Sequence, residues 1–229
     1  RTRGKFASQD ATAVLPLPLG RPRSTIVAHT TSQKSSFRVY CDLDGVLVDF
    51  CHGIRTLFPH HEASQSVDAL HRPTMWQKVA EQPSFFDSLP WMPEGQRLWE
   101  AIRPLQPDIL TGVPYKVTAS SVQKFLWCQR ELGVPVHHID KAFGGTKSEQ
   151  QKAASQKEIT RVITTWSNDK HYESGPGAVL IDDRIELKRA WEAKGGIFIH
   201  HSGNVDATIQ KMRHRGILPP YPDDPDNLL

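Results

Sequence analysis

The sequence predicts an α/β fold, a parallel sheet flanked by helices on both faces, and three observations predict it. Short and almost uninterrupted apolar runs recur along the 229-residue chain: Arg38-Val39-Tyr40-Cys41, Ile109-Leu110, Val162-Ile163-Thr164, Val179-Leu180-Ile181 and Gly196-Ile197-Phe198-Ile199-His200. Stretches with helical periodicity separate them. Two of the runs end in acidic pairs, Asp42-Leu43-Asp44 and Asp182-Asp183. Strands that lack polar alternation are buried on both faces, which is the condition of a parallel sheet.

Residues 1–36 contain Gly4, Pro16, Pro18, Gly20 and Pro22 and keep no period, so they are expected to form an arm and not a domain. Residues 1–38 hold seven basic residues and one acidic residue, a net +6, and the remainder of the chain is −3. A basic, Ser/Thr-rich and acid-poor start resembles the remnant of a transit peptide. It predicts the matrix of a mitochondrion or another organelle, with the cytoplasm as the alternative. No run approaches the length of a membrane-spanning helix. Cys41, Cys51 and Cys128 are odd in number and lack paired metal-ligand spacing, so they read as small buried hydrophobes in a reducing compartment.

Regular structure is expected from Phe37, with a first strand over Arg38–Cys41 that closes at the Asp42-Leu43-Asp44-Gly45 turn. The segment from there to Ile109 is too long for a simple crossover. It has helical stretches around His52–Phe58 and Pro73–Glu81, then Phe85-Phe86 and Trp91-Met92. It reads as a small helical cap, residues 52–103, inserted after the first strand into a core of residues 37–51 and 104–215. A helix is expected from about Thr118 to Glu131, with Val122, Phe125, Leu126 and the more distant Leu132 near one face and Gly133 as its stop. Ile185–Lys194 makes another, carrying Leu187, Ala190 and Trp191 and ended by Gly195. The polar stretch Asp140–Thr160 predicts a surface insertion, partly helical around Ser148–Lys157. Residues 216–229 predict an extended Pro/Asp-rich tail. Ordering arm and tail costs backbone entropy, so both are expected to lie against another macromolecule, an acidic protein or ribosomal RNA.

Asp42 and Asp44 stand two residues apart where a strand meets its loop, so their side chains leave the chain on the same side. Such paired carboxylates at the end of a buried strand are costly without a cation. A lone Asp-x-Asp serves equally well as a turn or helix cap, and Asp182-Asp183 before Arg184 fits an N-cap. Two acidic pairs on separate apolar strands are harder to explain that way. In a parallel sheet both ends fall at one edge, where α/β folds bind ligands, and converging oxygen ligands suit Mg²⁺. Thr111-Gly112 follows the strand at Ile109-Leu110 and offers a hydroxyl and a backbone N–H to phosphate oxygens. Lys170, 12 residues before Asp182, offers a positive charge. Adjacent histidines on a strand point to opposite faces, so the pairs His60-His61, His137-His138 and His200-His201 are not read as metal sites.

Asp42-Leu-Asp-Gly-Val-Leu-Val-Asp-Phe50 resembles motif I of the haloacid dehalogenase superfamily, Leu110-Thr111-Gly112 motif II, Lys170 motif III and Ile181-Asp182-Asp183 motif IV. The motifs stand in the family's order and cover roughly residues 37–202. Within the superfamily the chain is similar to the 5′(3′)-deoxyribonucleotidases in Pro83-Ser-Phe-Phe-Asp-Ser-Leu-Pro-Trp-Met-Pro-Glu-Gly95, Thr111-Gly-Val-Pro-Tyr-Lys116 and Asn168-Asp-Lys170. The resemblance implies a Mg²⁺-dependent phosphomonoester hydrolase, nucleotidase-like, acting on a small phosphorylated substrate such as a nucleoside monophosphate. Asp42 would be the nucleophile, forming an aspartyl-phosphate, and Asp44 the general acid and base. Mg²⁺ would sit on the carboxylates of Asp42 and Asp182 and the backbone carbonyl of Asp44, with Asp183 orienting a water. Thr111, Gly112 and Lys170 would hold the phosphoryl oxygens, with Lys116 a further candidate. Phe50, Phe85, Phe86, Trp76 and Trp91 would line the substrate pocket, although in a small cap such residues also serve as packing. The insertion at 140–160 and the two tails depart from the nucleotidase pattern. They raise an alternative, a structural or accessory subunit of a large mitochondrial assembly such as a ribosome or respiratory complex that retains the fold. A phosphatase acting on polynucleotide ends is a third reading, but a core at −3 offers it no basic groove.

Overall fold

A computed structural model describes residues 37–60, 67–144 and 159–220. The five apolar runs become strands β1 (Arg38–Cys41), β2 (Asp108–Gly112), β4 (Thr160–Thr165), β5 (Ala178–Asp182) and β6 (Ile197–His200). A further strand, β3 (Val136–Asp140), completes a six-stranded sheet of order β3-β4-β2-β1-β5-β6 in which every pairing is parallel. The sequence expectations omit β3. It is an edge strand with a buried Ile139 and otherwise half-buried residues, so it carries no apolar run.

Alternation along the strands divides the core in two. Val39, Cys41, Ile109, Val162, Val179 and Ile181 face one way, while Tyr40, Leu110, Ile163, Leu180 and Phe198 face the other. Helices α3 (Gly95–Ile102), α4 (Ser120–Glu131) and α6 (Val205–His214) contribute Trp99, Trp127 and Met212 to the first side. On the second, Trp191 of α5 (Lys188–Glu192) packs edge-on against Tyr40. The helix expected over Ile185–Lys194 is therefore a 3₁₀ turn at Ile185–Leu187 followed by the short α5. The sheet is covered by helices on both faces, as the buried strands require.

Between β1 and β2 lie α1 (Phe50–Leu57), α2 (Arg72–Ala80) and α3. Asp49 caps α1 by accepting a hydrogen bond from the His52 N–H at 2.8 Å, and Pro73 opens the first turn of α2. Ile54, Met75, Val79, Phe85, Phe86 and Leu89 of this segment belong to the same apolar cluster as Val39 and Ile109 of the sheet.

Helix α4 turns a different face inward from the one its apolar residues suggest. Val122 and Leu126 are 53% and 40% exposed, and Ser121, Gln123, Lys124, Trp127 and Cys128 are buried. One side of a helix can face the sheet. Here Trp127 fills the core while the polar residues beside it find partners: the Ser121 hydroxyl bonds Asp140 and Thr164 at 2.8 Å each, and Gln123 bonds Pro83 and Phe86 backbone at 2.9 Å each. Leu132 is buried as expected and Phe125 is half-buried against the His138 ring.

The arm at 1–36, the helix expected at Ser148–Lys157 and residues 221–229 of the tail lie outside the described residues, but the tail expected from 216 begins later than that, because Ile217 and Leu218 are buried in the same apolar cluster as Met212 of α6. Among the described residues no helix is long and apolar enough to cross a membrane.

Candidate active site

The topology fixes where a ligand can enter. From β1 the chain proceeds toward β2, and from β5 toward β6 on the opposite side, so the carboxyl ends of these two adjacent strands open a crevice at the point where the winding reverses. Cys41 pairs with Ile181 in register, and the Asp42 N–H donates to the Ile181 carbonyl at 2.9 Å. Asp42 and Asp182, 140 residues apart in sequence, are therefore lateral neighbours at the floor of the crevice.

Carboxylate oxygens of Asp42, Asp182 and Asp183 all lie within 4.8 Å of one another. Asp42 and Asp182 are buried and Asp183 is half-buried. Lys170, on the 3₁₀ segment Ser167–Glu173, brings its ammonium to 2.8 Å from Asp42 Oδ2 and 2.7 Å from Asp182 Oδ2. A second buried lysine, Lys124 of α4, donates to Asp44 Oδ2 at 2.5 Å, to Thr111 Oγ1 at 3.0 Å and to the Gly112 carbonyl at 2.8 Å. Its ammonium also stands 4.9 Å from the centre of the Phe86 ring. The sequence reasoning missed Lys124. The signal that could have found it is position: Lys124, Trp127 and Cys128 fall on one helical face, three and four residues apart.

Four carboxylates and two ammonium groups leave the site two positive charges short. Burial lifts the Asp183 carboxyl to about 7, helped by the neighbouring Asp42 and Asp182 charges. Burial also raises Asp182 and Asp44, against the opposing pull of Lys170 and Lys124 respectively. For Lys170, burial works against the charged form, yet Asp42 and Asp182 outweigh it and hold the ammonium above its ordinary range. Three buried oxygens, Oδ1 of Asp42, Asp44 and Asp183, have no hydrogen-bond partner among the described residues. Orphaned anionic oxygens in a site short of positive charge are the donor set a hard divalent cation takes. The residues fit Mg²⁺. The Asp44 carboxylate is not in the three-residue group; its Oδ2 is held by Lys124.

Two glycines let the backbone come this close. Gly45 has φ of +76°, and a Cβ there would lie 2.3 Å from Asp183 Oδ2. A Cβ at Gly112 would meet Ser167 Oγ at 2.1 Å. Thr111 is buried with its hydroxyl on Lys124, while Lys116 is exposed on the loop after β2. Among the aromatic candidates, Phe85 and Phe86 are buried, and Phe50 and Trp76 are half-buried beside them. Trp91 packs its ring on Trp127 at 4.7 Å and donates its N–H to Glu131 at 2.8 Å. Phe86 thus touches the site through Lys124, and Phe50 stacks behind it. No protein-family model matches the chain, and no curated protein matches it.

Proposed function

We propose that this chain is a Mg²⁺-dependent phosphomonoester hydrolase of the haloacid dehalogenase type, nucleotidase-like, working through a covalent Asp42 intermediate. The observation that carries the reading is the convergence, at the sheet's switch point, of Asp42, Asp182 and Asp183 within 4.8 Å, with partnerless oxygens on two of them. Asp42, Asp182 and Asp183 would hold the cation, which when bound would neutralise charge developing on the phosphoryl oxygens. An Asp42 carboxylate oxygen bonds to phosphorus as the ester P–O bond breaks, and Asp44 passes its proton to the departing alcohol oxygen. Asp44, now ionised and steadied by Lys124, takes a proton from water. The water oxygen attacks phosphorus, the bond to Asp42 breaks, and inorganic phosphate leaves with both carboxyl groups restored. Thr111 and Lys170 would hold the phosphoryl oxygens, Lys170 also pairing with Asp42 at 2.8 Å, while Lys124 would steady Asp44.

Phosphate release from nucleoside monophosphates and sugar phosphates, with and without Mg²⁺, tests this. Release is expected to require Mg²⁺ and to fall about a thousandfold or more in Asp42→Asn. Full activity in that variant would remove Asp42 from its role.

One sequence observation favours a second reading, that the chain is also a subunit of a large organellar assembly: an arm region of net +6 joined to a body of −3. Tagged full-length chain in a sucrose gradient of a mitochondrial matrix extract should then sediment with a large particle at low salt and leave it as salt rises. Sedimentation as a small protein at low salt counts against assembly.

A further inference from the structure

Beside the phosphoryl crevice, three rings meet on loops that leave the carboxyl ends of three neighbouring strands: Tyr115 after β2, Phe143 after β3 and Trp166 after β4. The Trp166 ring lies 5.5 Å from Tyr115 at 44°, and 5.0 Å from Phe143 at 78°. Phe143 and Trp166 are half-buried, but Tyr115 is 79% exposed, the most open of the large hydrophobic side chains among the described residues. Isolated exposed apolar residues are ordinary, whereas a supported aromatic cluster with one open ring is a ready surface for a flat ligand.

Two contacts join this cluster to the candidate active site. The backbone of Gly112 lies so close to Ser167, the neighbour of Trp166, that a Cβ would meet the serine hydroxyl at 2.1 Å. The Val113 N–H donates to the Thr165 carbonyl at 2.9 Å. The segment that holds Thr111 and the segment that holds Trp166 therefore run together, with the small Ser167 side chain set directly against Gly112. Tyr115 is four residues beyond Thr111, and four residues span at most about 14 Å. By contrast, the rings in the segment between β1 and β2 are already occupied. Phe85 and Phe86 are buried, and Trp91 is committed to Trp127 and Glu131.

We propose that Tyr115, Trp166 and Phe143 form a stacking subsite for a planar aromatic group carried by the substrate's leaving alcohol. The proposal rests on the phosphomonoesterase reading and adds to it the part of the substrate that is recognised. It also moves ring recognition from the inserted segment to the strand-end loops. Any flat π-system with a phosphate one sugar away would bridge the two sites, and the neutral character of stacking makes the subsite tolerant of which ring it is.

A matched pair of phosphates separates ring recognition from catalysis: adenosine 5′-monophosphate and ribose 5-phosphate carry the same primary phosphate ester at C5 of ribose, and only the first bears an aromatic ring at C1. With full-length protein and Mg²⁺, the ratio of kcat/KM for the two is expected to favour the ring-bearing ester. It should fall about tenfold in Tyr115→Ala and in Trp166→Leu, with ribose 5-phosphate unaffected. Tyr115 is exposed, so its variant keeps the fold and decides the matter if Trp166→Leu does not fold. A ratio unchanged in Tyr115→Ala overturns the subsite, as does a ratio that responds to Phe50→Leu and not to Tyr115→Ala; both leave the hydrolase reading standing. If wild-type protein hydrolyses neither ester, the hydrolase reading fails, and calorimetric titration with the same two compounds decides the subsite. Tighter binding of the ring-bearing compound that is lost in Tyr115→Ala supports it, and equal binding of the two overturns it.

Discussion

Lys170 touches two carboxylates at once, at 2.8 Å and 2.7 Å, and all three side chains are buried. Replacing it with Met keeps most of the volume but leaves Asp42 and Asp182 facing each other. Breaking a buried pair in this way costs roughly 3–5 kcal/mol. The same repulsion strengthens the site's attraction for a cation. Lys170→Met should therefore melt well below wild type without Mg²⁺ and gain more in melting temperature than wild type when Mg²⁺ is added. Equal gains in the two proteins would show that the cation does not see these carboxylates. Gly45 is the second residue whose identity is forced. Its φ of +76° disfavours any side chain, and a Cβ would press on Asp183 Oδ2 at 2.3 Å. Gly45→Ala should lower both the melting temperature and the Mg²⁺-induced gain, whereas Gly133→Ala, with φ of +63° and open space around it, should lower the melting temperature alone.

At the scale of elements, α4 shows how a helix chooses its face. Its apolar residues Val122 and Leu126 remain in solvent, and its inward face mixes Trp127 and Cys128 with Ser121, Gln123 and Lys124. Trp127 decides the energetics. It is 1% exposed and donates its N–H to the Leu89 carbonyl at 2.8 Å. Trp127→Ala should cost about 3–5 kcal/mol in urea unfolding, from lost burial and the cavity left behind. Leu126→Ala should change stability by no more than about 0.5 kcal/mol. The opposite ranking would mean that the helix presents its apolar stripe to the core. The polar inward face has a use, because it delivers the Lys124 ammonium to Asp44, Thr111 and Gly112 together.

Across the whole molecule, one buried group outside the candidate site makes a contribution to stability that is lost in mild acid. His201, at the carboxyl end of β6, is 2% exposed, and its Nδ1 is 2.8 Å from Thr208 Oγ1 on α6. The Thr208 hydroxyl donates to the Asn204 carbonyl, so the ring donates to Thr208. Burial, then the charges of Lys211 and His200, push the His201 pKa below its ordinary 6.5. A folded-state pKa below the unfolded one favours the neutral ring in the fold. This contribution is fully present above pH 6.5. As pH falls below 6.5 the unfolded chain binds a proton that the folded chain refuses, and stability declines until the depressed folded value is reached. Asp183, lifted to about 7, works the other way, because the folded chain takes up that proton before the unfolded one does, so the His201 share is read as a difference: between pH 7.5 and pH 5 the urea midpoint of wild type should fall relative to that of His201→Asn. An unchanged slope in the variant would assign the acid sensitivity to other groups.

The sequence by itself determined the parallel sheet and the acidic strand ends. Central strands buried on both faces read as apolar runs, and Asp42 just after β1 and Asp182 at the end of β5 stand out as the charges that close two of them. The edge strand β3 was not legible, because one exposed side lets His137, His138 and Asp140 stand where an interior strand needs apolar residues. Nor was the face of α4, since its apolar positions and its buried positions disagree. Lys124 was out of reach for the same reason that makes it informative: its partner Asp44 lies 80 residues away, and no local pattern records a contact closed over that distance. Tyr115, Phe143 and Trp166 likewise come from three separate loops and become one surface only when β2, β4 and β3 lie side by side. Local periodicity is written in the chain. Which distant charges are compensated, and which rings are left open, is decided by packing.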